Sequence, residues 1–211
     1  MAFVSAITEE DLATVRERIR RDLSASRAAH ILGVEDMAVR IGVQILPEKL
    51  PSLRLAALLH DITKEWSDDT QLSFFAERDI PLSEDKRRAP MILHALSGAY
   101  FAREEFPSLV DNEVFLAISR HTTGDADMTL FQMIIYVADL IEDGRTQPFC
   151  VNLRKEFLAK VDTLGWRTAL ERIFFSSLRS TILSFAERSR IIAPETLAAY
   201  NFMLFRDQEK Q

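Results

Sequence analysis

Apolar residues recur along most of the chain at spacings of three and four positions, which is the period of an α-helix. Runs in which apolar and polar residues alternate, as in a strand, are short. The pattern therefore predicts an all-α protein with six to nine helices in a single domain that spans residues 1–211. The predicted helices that matter most for function cover about 25–46, 53–64, 91–106, 113–121 and 129–142, and polar loops are expected at 79–90 and 122–127.

Two of these helices are apolar almost all round, yet each contains polar residues that do not suit a hydrophobic core. The helix over 53–64 ends in His60, Asp61 and Lys64, and Asp139 is the only charged residue between 129 and 141. A buried imidazole or carboxylate without a partner costs several kcal/mol, so these groups are expected to be paired or bound to metal. A His-Asp pair at an exposed helix end, and an arginine partner for Asp139, are the structural alternatives.

The chain contains four histidines, His30, His60, His94 and His121, and each lies at or inside a predicted helix. A single histidine in such a place is more often a packed or surface residue than a ligand. Taken together with Asp61 and Asp139, however, they give a series in which one helix after another contributes an inward polar residue. Helical domains build metal centres in their cores in this way.

Composition excludes several classes of protein. Six glycines and seven prolines are few for an all-β fold, and the net charge of −6 does not favour nucleic-acid binding. One cysteine, Cys150, excludes an intramolecular disulfide and a Cys-rich zinc site. No apolar run reaches the roughly 18–20 residues of a membrane span, and Met1–Glu10 does not look like a signal peptide. We therefore expect a cytoplasmic protein that binds neither nucleic acid nor membrane.

The order His30, His60-Asp61, His94, His121, Asp139 resembles the HD phosphohydrolase superfamily. Shorter motifs between about residues 15 and 203 resemble its YqeK-type family of symmetrical diadenosine tetraphosphate hydrolases. These motifs are Arg27-Ala28-Ala29-His30, Ala57-Leu58-Leu59-His60-Asp61-Ile62-Thr63-Lys64, His94 with Gly98-Ala99-Tyr100, His121-Thr122-Thr123-Gly124, Ile135-Tyr136-Val137-Ala138-Asp139 with Ile141-Glu142 and Gly144-Arg145, and Pro194 with Ala199-Tyr200-Asn201.

The resemblance implies a fold and a reaction: an all-α HD-domain bundle with a metal centre in its core, which cleaves diadenosine tetraphosphate to two ADP. His30, His60, Asp61 and Asp139 would hold a first metal ion. His94 and His121 would hold a second, with Asp61 bridging both, and the two ions would share a water and deliver it as hydroxide to phosphorus. The family implies iron, and imidazole and carboxylate ligands without thiolate also suit Mn, Co or Zn.

Further residues are candidates for binding substrate phosphates. Lys64 shares a predicted helical face with His60 and Asp61, which also makes it a candidate catalytic residue; a solvated lysine is the alternative. Arg27 lies one turn before His30, and Arg145 follows the predicted helix that contains Asp139. Thr122, Thr123 and Gly124 follow His121 directly and offer hydroxyl and N–H donors, unless they only end a helix.

The sequence departs from the family pattern at Ala95-Leu96, at Asp143 and at Ala193, where the family usually has Gly-Pro, proline and histidine. These positions bear on the choice of substrate more than on metal binding. A nucleoside monophosphatase, or a nucleotide-sensing module with a structural metal, therefore stay open as alternatives. A homodimer is also an expectation from the sequence.

Overall fold

The computed structural model describes residues 6–208 and the side chains of 6–206, so the expectations for Met1–Glu10 and for the two chain ends lie partly outside it. Within that range the chain forms α-helices and two short 3-10 helices, at Pro47–Lys49 and Pro90–Ile92, and no strand. The α-helices are α1 (Glu9–Asp22), α2 (Ala25–Ile45), α3 (Leu50–Leu59), α4 (Asp68–Glu77), α5 (Glu84–Arg87), α6 (Leu93–Glu105), α7 (Asn112–Arg120), α8 (Leu130–Ile141), α9 (Pro148–Leu164), α10 (Trp166–Glu187) and α11 (Pro194–Gln208). The all-α prediction is confirmed.

Short polar side chains cap the starts of helices α1, α2, α4, α7 and α8. The Thr8 hydroxyl accepts the N–H of Asp11, whose carboxylate accepts the Thr8 N–H in return, so this Thr-Asp spacing, which predicts a helix start, forms a complete capping box. Thr129 and Gln132 form the same arrangement at the start of α8. Ser24, Ser67 and Asp111 each accept one main-chain N–H at the starts of α2, α4 and α7. Local sequence thus fixes where these helices begin.

Helices α3 and α8 form the centre of the fold. Leu53 and residues 55–59 of α3 are buried, as are residues 131–138 of α8. Helix α2 packs against both, and α7 packs against them from another side. A helix that is apolar all round has to be surrounded in this way. The polar residues at the ends of α3 and α8 are therefore held by the least exposed part of the molecule.

Two further groups of helices pack around this centre. Helix α10 packs against both α9 and α11. Phe174 of α10 contacts Tyr136 of α8 edge to face, with ring centroids 4.9 Å apart. Near α4 and α6 a smaller hydrophobic cluster contains Phe74, Phe75, Leu82 and Leu93. No helix within residues 6–208 is long and apolar enough to span a bilayer. The cytoplasmic location and the single domain over 1–211 stay predictions.

The prediction that the third helix reaches Lys64 is wrong, because α3 ends at Leu59. Residues 60–66 instead form consecutive turns, in which the N–H of Lys64 donates to the carbonyl of Asp61 three residues earlier. The Thr63 hydroxyl donates to the main-chain oxygen of His94, 3.0 Å away. This bond ties the turn to the start of α6, a segment distant in sequence.

Two other local predictions are also wrong. The expected loop 79–90 contains α5, a four-residue helix. Its acidic start and basic end match the helix dipole, but a helix of this length is too short to give a periodic pattern in the sequence. With α5 the described residues contain eleven α-helices, more than the six to nine expected. Gly144, whose position after the helix predicts a C-terminal cap, does not adopt the left-handed backbone of such a cap, and α8 ends on Glu142.

Candidate metal centre

Five helical regions bring the predicted ligands together in one cluster. His30 comes from α2 and His94 from the start of α6, while Asp139 lies in the last turn of α8. His60 and Asp61 follow the end of α3, and His121 follows the end of α7. The rings of His30 and His60, His60 and His121, and His94 and His121 have centroids 5.5, 4.9 and 5.2 Å apart, so the four imidazoles form a continuous row.

At one end of this row, His30, His60 and Asp139 offer ligand atoms that all lie within 4.8 Å of one another. The Nε2 atom of His30 is 3.0 Å from Oδ1 of Asp139, and Nε2 of His60 is 3.8 Å from the same oxygen. Two imidazole nitrogens and a carboxylate oxygen at this spacing suit a first-row transition metal.

Asp61 lies between the two ends of the row. Its Oδ1 atom is 3.4 Å from Nε2 of His94 and 3.5 Å from Nε2 of His121. Its Oδ2 atom is 3.6 Å from Nε2 of His60 and 3.7 Å from Nε2 of His30. One carboxylate oxygen thus faces each end, which is the arrangement that a bridging ligand requires.

Three of the histidines are oriented by main-chain carbonyls. The Nδ1 atoms of His60, His94 and His121 lie 2.6, 2.9 and 2.7 Å from the carbonyl oxygens of the residues three positions earlier, which are Ala57, Met91 and Ile118. A carbonyl only accepts, so each Nδ1 carries the proton and each Nε2 presents a lone pair. This tautomer is the one in which imidazole binds metal through Nε2.

Two buried atoms in the cluster have no hydrogen-bond partner, namely Nε2 of His60 and Oδ1 of Asp61. His60 is fully buried and Asp61 is 2% exposed. Leaving such a group unpaired costs about 1–3 kcal/mol, and more when it is charged. A metal ion beside both atoms would remove this cost, so the residues present fit a metal centre.

The protonation states also suit metal binding. Burial lowers the pKa of His60 to about 4 and that of His94 to about 3, so both rings are neutral at pH 7. Burial alone would raise the pKa of Asp61, but the adjacent imidazoles bring it well below its usual range. Metal ligands must be deprotonated, and these three groups already are.

Three cationic side chains surround the cluster, as the sequence predicts for a phosphate site. Arg27 Nη1 lies 2.6 Å from Oδ2 of Asp61, and Arg145 donates to Oδ1 of Asp139. The half-buried Lys64 reaches the opposite end, where its Nζ is 3.1 Å from Nε2 of His94. It does so from a turn and not from the helical face that the sequence suggests. Burial lowers the pKa of Lys64 below its ordinary value.

The three residues after His121 separate into two groups. The Thr122 hydroxyl is 3.1 Å from Nε2 of both His94 and His121, so it belongs to the cluster. The Thr123 hydroxyl donates to the carbonyl of Gly124, and the Gly124 N–H donates to the carbonyl of Arg120. Thr123 and Gly124 therefore make the contacts of a helix-ending turn, the alternative that the sequence leaves open.

A cleft of about 430 Å³ opens beside the cluster at the His30 end. Its wall contains the predicted metal ligand His30 and both predicted phosphate-binding arginines, Arg27 and Arg145. The rest of the wall is mostly small or polar, with Ser26, Ala29, Glu142, Gly144, Thr146 and Gln147. A polar, arginine-lined cleft of this size can admit an anionic ligand to the metal site.

The sequence interpretation missed the groups that support the ligands. Glu142 is 3% exposed, and its Oε1 lies 3.1 Å from Nδ1 of His30. Arg154 of α9 donates to the main-chain oxygens of Glu142 and Arg145, which fixes the segment that follows α8. The motif contained Glu142, and a carboxylate at the end of an apolar helix is a signal of the same kind as Asp139. No comparable signal marks Arg154.

A buried polar network behind His94 was missed as well. The Gln71 amide donates to the main-chain oxygen of Thr63, and the Ser97 hydroxyl donates to the Gln71 carbonyl oxygen. The hydroxyls of Thr63 and Ser97 are 2.8 Å apart. This network links the turn that carries His60 and Asp61 to the helices α4 and α6.

Comparisons with known proteins agree with this geometry. The model of the HD domain family matches residues 27–143, which is more than half of the chain. The symmetrical bis(5'-nucleosyl)-tetraphosphatase of Halalkalibacterium halodurans is 30% identical over 90% of this chain and 95% of its own length. The Bacillus subtilis protein of the same name is 28% identical over 93% of this chain and 97% of its own length.

A solved structure shares the fold. It is the crystal structure of a Clostridium acetobutylicum protein described as a predicted HD superfamily hydrolase involved in NAD metabolism. The two structures superpose with a TM-score of 0.82 at 28% sequence identity, over 95% of this chain and the whole of the other. HD domains are metal-dependent, and the cluster of histidines and aspartates matches that requirement. This protein belongs to the HD domain family.

Proposed function

We propose that this protein is a metal-dependent hydrolase that cleaves diadenosine tetraphosphate symmetrically into two molecules of ADP. One observation carries the proposal: four histidines and two aspartates converge around two unsatisfied buried ligand atoms, Nε2 of His60 and Oδ1 of Asp61. Relatives that align over nearly their whole length are named symmetrical bis(5'-nucleosyl)-tetraphosphatases. The proposed substrate is accordingly a small nucleotide.

The proposed ligand set divides the cluster into two positions. His30, His60 and Asp139 hold one ion, His94 and His121 hold the other, and Asp61 contributes one oxygen to each. The donors are imidazole nitrogens and carboxylate oxygens without thiolate, a set that suits iron, manganese, cobalt or zinc. We propose two iron ions.

The bound metal supplies Lewis-acid chemistry, since it lowers the pKa of a water molecule and polarises a phosphoryl oxygen. The protein holds Asp61 and Asp139 ionised and His60 and His94 neutral at pH 7. The depth of His60 in the core excludes bulk water from one side of the reacting centre. Asp61 is the proposed catalytic carboxylate, because its two oxygens face opposite ends of the cluster.

The surrounding cations are proposed to bind the polyphosphate. Arg27 and Arg145 stand at the cleft end of the cluster, and Lys64 and the Thr122 hydroxyl stand at the other end. A tetraphosphate bound there would meet positive charge at both ends of the cluster. Charge-assisted contacts of this kind fix the position of the phosphates and offset the charge that develops during the reaction. Thr123 and Gly124 are then needed only to shape the turn.

Product analysis tests the proposed reaction. Purified protein should contain transition metal at one to two equivalents, and it should convert diadenosine tetraphosphate to ADP as the only nucleotide product on anion-exchange chromatography. The control is the same protein after removal of metal with a chelator, which should be inactive until metal is restored.

Other outcomes would point to the alternatives. ATP together with AMP would exclude the symmetrical reaction, and full activity of metal-free protein would exclude the metal centre. Release of phosphate from mononucleotides, with the dinucleotide left intact, would favour a nucleoside monophosphatase. Tight nucleotide binding without turnover would favour a sensing module. Size-exclusion chromatography of the same samples tests the expected homodimer.

A further inference from the structure

Glu142 differs from every other group that orients a ligand histidine. All four histidines of the chain lie in the described range, and three of them direct Nδ1 at a main-chain carbonyl. His30 instead directs Nδ1 at Oε1 of Glu142, 3.1 Å away. A carboxylate behind a metal-binding imidazole raises the basicity of that imidazole, whereas a neutral carbonyl does so less. The two metal positions are therefore not chemically equivalent.

The surroundings of Glu142 are built to hold this carboxylate in place. Its side chain is 4% exposed, so it lies in the protein and not in the solvent. The Gly144 N–H donates to its Oε2, and the guanidinium Nε of Arg145 lies 4.0 Å from its Oε1. Because a buried charge needs such partners, the position of the carboxylate is fixed independently of His30.

Two glycines leave the space that the carboxylate occupies. A Cβ added at Gly33, in the middle of α2, would come within 2.5 Å of Oε2 of Glu142. A Cβ added at Gly144 would come within 2.9 Å of the same oxygen. Gly33 has a helical backbone in a helix interior, where alanine is normally preferred. Close approach of Glu142 explains why this position has no side chain.

We propose that Glu142 is a positioning residue that fixes the ring of His30 and makes the His30–His60–Asp139 position the tighter of the two metal positions. The proposal rests on the proposed metal ligation. With Nδ1–H donated to Glu142, Nε2 of His30 keeps its lone pair and faces Oδ1 of Asp139 across 3.0 Å. A strengthened imidazole beside a carboxylate binds a cation more tightly than the carbonyl-backed pair His94 and His121.

The test is a titration of metal-stripped protein with Co²⁺, followed by its visible absorption and by competition with a chelator. Wild type should bind in two steps of different affinity. Glu142→Gln keeps the shape of the side chain and removes its charge, so the tighter step should weaken roughly 10- to 100-fold while the weaker step stays unchanged. Asp36→Asn is the control, since it neutralises an exposed carboxylate of α2 and should leave both steps as in wild type.

Gly33→Ala provides a second test that does not alter Glu142 itself. The added methyl group should displace the carboxylate from His30 and weaken the same step. In a Glu142→Ala background the methyl group has room, so Gly33→Ala should cause no further loss of Co²⁺ affinity. A purely structural role would not give this combination.

The possible results test the role of Glu142 and the assignment of the metal ligands separately. Equal loss of both binding steps in Glu142→Gln, or no loss at all, would overturn the role of Glu142. Absence of Co²⁺ binding in wild type would overturn the ligand assignment itself. Hydrolysis of diadenosine tetraphosphate by wild type is measured separately, so a wrong substrate would leave the metal-binding result standing.

Discussion

At the cleft end of the cluster, His30 and Asp139 are held by charged side chains, Glu142 and Arg145. At the opposite end, His94 and His121 are held by the main-chain carbonyls of Met91 and Ile118. A side-chain support is removed by one substitution, whereas a carbonyl support is part of the helix end that carries it. The first end can therefore be adjusted residue by residue, while the second is fixed by the fold.

Substitution of Asp61 should remove the difference between the two ends, because this carboxylate faces both. Asp61→Ala is expected to lose metal from both positions. It should lower turnover by more than the roughly 10- to 100-fold that is typical of substitutions at residues supporting the metal ligands. Metal analysis and initial rates on the same preparation check this. Asp36→Ala, at an exposed position of α2, is the control. Retention of one full equivalent of metal would show that Asp61 does not bridge.

Substitution of Lys64 should affect only the end of the cluster that contains His94 and His121, because Lys64 lies there without being a proposed ligand. Lys64→Ala is expected to lower turnover by roughly 10- to 150-fold, which corresponds to about 1.5–3 kcal/mol for one charge-assisted contact to phosphate. Metal content should stay near that of wild type. The measurement is kcat and KM beside metal analysis, with the exposed Lys155→Ala as the control. An unchanged rate would leave Lys64 as a solvated lysine.

Acid should weaken the metal-free protein through the buried histidines. The folded pKa values of His60 and His94 are about 4 and about 3, while an unfolded histidine titrates near 6.5, so the unfolded state binds more protons in between. The two histidines therefore contribute fully to stability above about pH 6.5, and the free energy of unfolding falls as the pH is lowered towards 4. Each histidine contributes about 1.4 kcal/mol per pH unit.

Urea unfolding of metal-free protein at several pH values between 6.5 and 4 measures the slope of the free energy of unfolding against pH. His94→Gln should reduce it by the contribution of one proton, which distinguishes the carbonyl-supported end from the rest of the cluster. The carboxylates Asp61 and Asp139 have lowered pKa values and act only at more acidic pH. A slope that His94→Gln leaves unchanged would contradict the neutral, buried state of this ring.

The cluster of histidines and aspartates could be predicted from sequence because its members stand out against their surroundings. Asp139 interrupts an apolar helix, and His60 and Asp61 end another, so burial and charge conflict at these positions. The helix start at Thr8 could be predicted equally well, since capping depends on the local sequence. These features depend on a few consecutive residues, and the structure preserves them.

Other features depended on contacts between distant segments, and sequence patterns do not contain those. The end of α3 at Leu59 depends on a hydroxyl bond from Thr63 to a residue in α6. The place of Arg154 depends on the fold of the segment after α8. The reach of Lys64 to His94 depends on the turn and not on the helix that periodicity predicted. In each case tertiary structure overrode a reasonable local interpretation.

The network of Thr63, Ser97 and Gln71 has a consequence for how the protein opens. Each of its polar groups is buried and satisfied by another, so breaking one bond leaves the rest unsatisfied, and partial separation is costly. Helices α4 and α6 and the turn at 60–66 should then detach together or not at all, as one cooperative unit of native-state hydrogen exchange. Metal exchange through this side would require that whole unit to separate, so the cleft at the His30 end is the easier route to the cluster.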